Sequence, residues 1–152
     1  KFLYYPSFLK LANVKYITTS RNYNPLLHSY LSESLFFEKI YQDRYIDIYL
    51  YKDYFPRIFF ARNALIISDR QKILAKLKSS LFNPQNTAIV EEGIPLQNNR
   101  ETAKQYRLKI VSYTPNRIVV NLTNFEKGML VLLDTYYPGW KVYIDGKPSK
   151  IY

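Results

Sequence analysis

The chain has 152 residues, no cysteine, one histidine and a formal net charge of +10. Without cysteine there is no disulfide, no zinc–thiolate site and no thiol nucleophile, and a hydrophobic content of 47% excludes a disordered chain. No apolar run approaches the roughly 20 residues that span a bilayer, while the positive balance favours anionic partners such as acidic headgroups or phosphate-rich polymers.

In chain order, residues 13–19 (NVKYITT) read as a short strand rich in β-branched side chains. Residues 20–34 carry Asn-Pro and scattered serines, which predicts a loop with one helical turn around Pro25–Leu31. Two strands follow, Phe36–Tyr41 and Tyr45–Tyr51, joined by the polar Gln42-Asp43-Arg44 turn as a hairpin. In the second, Ile46, Ile48 and Leu50 share one face, and Tyr45, Asp47, Tyr49 and Tyr51 the other.

Pro56 opens a strand over Arg57–Ala61, and Ala64–Ile67 continues the extended pattern. Ser68-Asp69 then offers N-cap candidates for a helix whose apolar stripe is Ile73, Leu74, Leu77 and Leu81, ended by Asn83-Pro84. Thr87–Val90 is a short strand, and 93–104 is polar and irregular, the best linker candidate. Beyond it the pattern is pure β. Tyr106–Tyr113 and Arg117–Thr123 alternate around Thr114-Pro115-Asn116, and Met129–Leu133, apolar on both faces, predicts a central strand covered on both sides.

The segment DTYYPGWKVYIDGK, residues 134–147, concentrates aromatic rings and turn signals. Pro138-Gly139 marks a turn in which glycine would take the left-handed conformation, and Asp145-Gly146 marks a two-residue hairpin between Lys141–Ile144 and Lys147–Tyr152. Pro148 puts the last strand at an edge. Tyr136, Tyr137 and Trp140 then read in two ways. They form a sheet-end cluster that buries large apolar area, or a platform for sugar rings or bases, with Asp134, Lys141 and Asp145 as the adjoining polar groups.

Catalytic and metal chemistry find little support. His28 stands alone in a loop, so neither a metal site nor a nucleophile–histidine arrangement can be assembled around it. Asp43/Asp47 and Glu91/Glu92 read as solvated turn patterns. Only four glycines are present, and no phosphate loop. The sequon Asn121-Leu122-Thr123 lies within a predicted strand and reads as coincidence. Basic residues are dispersed from Lys1 to Lys150 with no ribonucleoprotein-like motif, which argues against nucleic acid as partner. No cofactor is expected.

The stretch GMLVLLDTYYPGWKVYIDGKPSKIY resembles the signature near the carboxyl end of YfhO-type bacterial membrane proteins. LANVKYITTS, FEKIYQDRYIDIYLYKDYFPRIFFA and LFNPQNTAIVEE are similar, in the same order, to that family's extracytoplasmic region. The resemblance implies a polytopic membrane protein with a GT-C-like glycosyltransferase core that modifies cell-envelope polymers. Its transfer chemistry would lie in membrane loops outside this chain, so no catalytic residue carries over. It also implies location on the extracytoplasmic side of the plasma membrane, with membrane spans flanking a soluble domain. The first residue, Lys1, and the strand-like end Lys150-Ile151-Tyr152 suggest a piece of such a protein. The expected fold is α+β, mainly antiparallel β: an α/β portion over 1–92 with one clear helix, and a β-sandwich-like portion over 105–152. The carbohydrate-binding reading of the aromatic rim and a purely structural or protein-interaction role both remain open.

Overall fold

In the computed structural model, residues 6–20, 24–93, 95–97, 105–125 and 127–152 are described. They form three helices and eleven strands in an α+β fold dominated by antiparallel pairing. The chain divides into two compact units, Lys1–Pro56 and Arg57–Tyr152.

The first unit runs α1 (Pro6–Leu11), β1 (Tyr16–Ser20), α2 (Pro25–Glu33), β2 (Phe37–Gln42) and β3 (Ile46–Tyr51). The strands make one antiparallel sheet in the order β1-β3-β2. The β2–β3 hairpin turns where the sequence places it. The Asp43 carboxylate accepts from the amides of Tyr45 (2.7 Å) and Ile46 (2.8 Å), satisfying donors the turn would otherwise leave open. Those two amides, Ile46 first, hold the Asp43 carboxyl below the usual carboxylate range.

Residues 25–33 are a full nine-residue helix instead of the single turn expected. Pro25 presets the first helical residue, and Asn24 caps it by accepting from the Leu27 amide at 3.0 Å. Ser29 and Ser32, two of the serines that suggested a loop, are exposed, while Leu27, Tyr30 and Leu31 turn inward. Leu9, Leu31, Phe37, Tyr49 and Tyr51 form the core of this unit, with Val14, Ile17, Leu27 and Tyr30 packed against it.

The second unit contains β4 (Ile58–Ala61), β5 (Asn63–Ile66), α3 (Arg70–Lys78), β6 (Thr87–Val90), β7 (Arg107–Thr114), β8 (Arg117–Thr123), β9 (Met129–Leu132), β10 (Val142–Ile144) and β11 (Lys147–Ser149). Its strands pair two at a time: β4 with β9, β5 with β6, β7 with β8 and β10 with β11. The β5–β6 pair is parallel, with α3 as the connection, as parallel neighbours require. An isolated bridge adds Leu96 to Ala64. Leu96 belongs to the expected 93–104 linker, most of which lies outside the described residues.

Asp69 caps α3 by accepting from Gln71 (2.8 Å) and Lys72 (3.0 Å). The helix stops at Lys78, before Asn83-Pro84, and none of its residues is buried. Leu81 lies beyond the helix at 94% exposure, so the expected stripe does not cover a core. The core strand is β4, all four of whose residues are buried. Phe60 meets Tyr106 and Phe125 edge-on at centroid distances of 5.4 and 5.8 Å. The expected central strand, β9, is instead hydrogen-bonded to β4 alone among the described strands, with Leu130 46% exposed. Its two apolar faces do not find two covering layers. At Gly128, just before β9, the backbone passes close to β4: a Cβ there would stand 2.7 Å from the Ala61 carbonyl and against the Phe60 ring.

Candidate functional site

The hairpin at the carboxyl end is built by its turn residues. Asp145 and Gly146 have φ of +49° and +77°, the two positive values of the turn type that matches strand twist. Across a two-residue loop the flanking residues Ile144 and Lys147 exchange backbone hydrogen bonds, and the next pair directs its backbone groups outward. That pair is Tyr143 and Pro148. The amide that proline lacks is therefore an outward one, which blunts the free side of β11 and leaves that of β10 open.

Upstream, Trp140 donates its amide to the Tyr137 carbonyl at 3.0 Å, closing the turn around Pro138-Gly139. Gly139 does not take a positive φ there, contrary to expectation. The turn is of a kind that any residue can enter at that position, and glycine's small size leaves the Tyr137 ring at 3.7 Å from where a Cβ would sit.

These two turns fold the segment around an open groove of about 270 Å³ whose lining includes Tyr136, Trp140, Lys141, Tyr143, Pro148 and Ile151. Of the residues singled out in the sequence, Tyr136, Trp140 and Lys141 come together here. Tyr137 sits in the turn outside the groove, and Asp145 is at the hairpin tip. Tyr136 is 65% and Tyr137 72% exposed, so the tyrosines do not form the buried cluster of the packing account. Only Trp140 is partly covered.

Asp134 is engaged elsewhere in the same unit. Its carboxylate accepts from the Tyr113 hydroxyl at 2.8 Å and lies 3.5 Å from Arg57 Nε, while Arg57 donates to the same hydroxyl and stacks over the Tyr113 ring. The Tyr113 hydrogen bond, then the Asp134 charge, raises the Arg57 guanidinium further above its ordinary value. Three side chains from β4's entrance, β7 and β9's exit thus hold one another, and this carboxylate is spoken for as a structural tie.

A second polar cluster, in the first unit, escaped the sequence reading. His28 projects from α2 so that its Nε2 lies 2.7 Å from Asp47 Oδ2, and Lys39 Nζ lies 3.3 Å from the same oxygen. Asp47 is fully buried, whereas the His28 and Lys39 side chains keep 28% and 33% exposure. The histidine is therefore no exposed loop residue and Asp47 no solvated turn residue. Once α2 forms, it carries the ring onto the polar face of β3. The ring also stands edge-on to Tyr49, and Lys39 lies over that ring. The sequence signal was the shared face of Asp47, Tyr49 and Tyr51, an acid in register with two core-sized rings.

Among the described residues no group of three or more His, Asp or Glu side chains could hold a metal ion, and no helix is long and apolar enough to cross a membrane. No family model, curated protein or solved structure matches the chain.

Proposed function

We propose that this chain is an extracytoplasmic, non-catalytic domain of a polytopic bacterial membrane protein resembling the GT-C-type glycosyltransferases of the YfhO type. In this reading its hairpin end meets an anionic or glycan polymer of the cell envelope. The observation that carries the reading is the groove whose lining brings Tyr136, Trp140 and Tyr143 together with Lys141. Sugar rings pack their apolar C–H faces on such aromatic surfaces, and a neighbouring ammonium adds attraction for phosphate or carboxylate substituents. The net charge of +10 acts in the same direction over longer range.

Trp140 is the single tryptophan, so its fluorescence reports on the groove directly. Titrating the chain with a glycosylated poly(glycerol phosphate) is expected to shift that emission saturably, with an affinity that weakens as salt is added. Tyr136→Ala should abolish the response. A flat titration up to millimolar polymer removes the binding reading, and a response that survives Tyr136→Ala moves it away from this groove.

A further inference from the structure

One margin of the first unit's sheet gathers exposed apolar and basic side chains from three connections. β1 enters at Tyr16, β2 enters at Phe37 and β3 leaves at Tyr51, so the residues just outside all three share one end of the sheet. Backbone hydrogen bonds from Tyr51 to Lys15 and from Lys52 to Phe36, each 2.9 Å, tie that end together. On it Leu35 is 87%, Tyr16 53%, Phe36 48% and Tyr54 41% exposed. The Lys15 ammonium lies over both the Tyr16 and Tyr54 rings, 5.2 and 4.9 Å from their centroids, and Lys52, bonded through its amide to Phe36, is exposed. Of the carboxylates near this end, Asp53 pairs with Lys10 and Glu33 accepts from Ser29, while Glu38 is exposed on β2 opposite Leu50, one rank inside Phe37 and Tyr51.

We propose that this margin docks on an anionic lipid surface. The Leu35-Phe36 turn is an apolar tip with no cover of its own in this unit, suited to dip among acyl chains. Tyr16 and Tyr54 have an apolar ring and a wet hydroxyl, the combination that favours headgroup depth. Lys15 and Lys52 reach phosphate from flexible stems. A soluble polyanion would use the two lysines but has no use for the tip, which is what selects a bilayer as the occupant. The proposal is independent of the hairpin groove.

The test is co-sedimentation of the full chain with vesicles of phosphatidylglycerol and phosphatidylcholine, and with phosphatidylcholine alone. The chain is expected to partition onto the anionic vesicles, and Leu35→Asp to weaken that partitioning roughly tenfold. Because Leu35 is almost fully exposed, this variant should melt with the parent. Lys15→Gln with Lys52→Gln, a pair that leaves the tip intact, should also weaken binding, and Trp140→Ala should leave it unchanged. Absence of binding to anionic vesicles, or parental binding by Leu35→Asp, overturns the proposal. Loss through Trp140→Ala instead would assign vesicle binding to the hairpin and overturn it equally.

Discussion

His28 on α2 and Asp47 on β3 lie 2.7 Å apart, and the carboxylate of that pair has no exposed surface. A buried carboxylate keeps its charge only while neighbouring donors replace the water it has lost. The two side chains on the same oxygen are not equivalent. His28 is closer and is fixed by helix packing, whereas Lys39 at 3.3 Å comes from a flexible stem on an edge strand. His28→Ala is therefore expected to cost about 2 kcal/mol of unfolding free energy, and Lys39→Ala under about 1. Denaturant midpoints of the two variants decide the order, and a larger loss from Lys39→Ala would mean that the ammonium carries the buried charge.

Tyr49 presents the opposite situation. Its side chain is 1% exposed, and its hydroxyl finds no hydrogen-bond partner among the described residues. A hydroxyl taken out of water without compensation is a net cost, on the order of 1–3 kcal/mol. Tyr49→Phe keeps the ring contacts with His28 and the core while removing that group. The variant is expected to be more stable than the parent by about 1 kcal/mol, measured as a raised denaturant midpoint with an unchanged slope. A destabilised Tyr49→Phe would show that the oxygen has a partner of consequence.

How far the first unit was legible follows from this strand. Alternation in YIDIYLY correctly separated two faces, but it did not say which one faces the core. The face bearing an aspartate looked like the wet one. It became the buried one because α2 supplies a histidine and β2 a lysine, partners far apart in sequence that alternation cannot register. In the second unit, the local signals held wherever the chain itself satisfies the geometry: Asp69 capping α3, Pro115-Asn116 between β7 and β8, Asp145-Gly146 in the hairpin. They failed where the outcome depends on a partner. The Ile73 to Leu81 stripe and the two-faced apolar β9 both read as buried from composition, yet neither finds the layers needed to cover it. The aromatic rim shares this property in part: the positions of its turns were readable, whereas its exposure and the conformation of Gly139 were not.

Burial also fixes an alkaline limit. Tyr51 is fully buried, and desolvation, helped by the nearby Asp53 and Tyr30, pushes its phenol up to about 12. An unfolded tyrosine ionises near 10, so between those values the folded chain holds a proton that the unfolded chain has released. The contribution is complete below pH 10 and is lost as pH rises toward 12, amounting to about 2–3 kcal/mol. Unfolding midpoints measured across this range should fall steeply, and Tyr51→Phe should flatten the part of the slope due to this site. An equally steep fall in Tyr51→Phe would place the titration on other phenols.

The last expectation separates structure from binding at the carboxyl end. Asp134 and Lys141 lie seven positions apart in a segment that the sequence treats as one patch, yet the structure gives them different tasks. Asp134 holds Tyr113 and Arg57, a partly exposed network worth on the order of 1 kcal/mol, while Lys141 lines the groove. Asp134→Asn should thus lower stability by about that amount and leave the response of Trp140 to an anionic polymer unchanged. Lys141→Glu should do the reverse, with stability within about 0.5 kcal/mol of the parent and polymer affinity reduced roughly fivefold. The salt dependence of what binding remains should also be shallower, since one cation–phosphate contact is gone. Parallel melts and fluorescence titrations give both readouts from the same samples. If Asp134→Asn loses binding as severely as Lys141→Glu, the carboxylate belongs to the ligand site and the Arg57–Tyr113 tie is secondary to it.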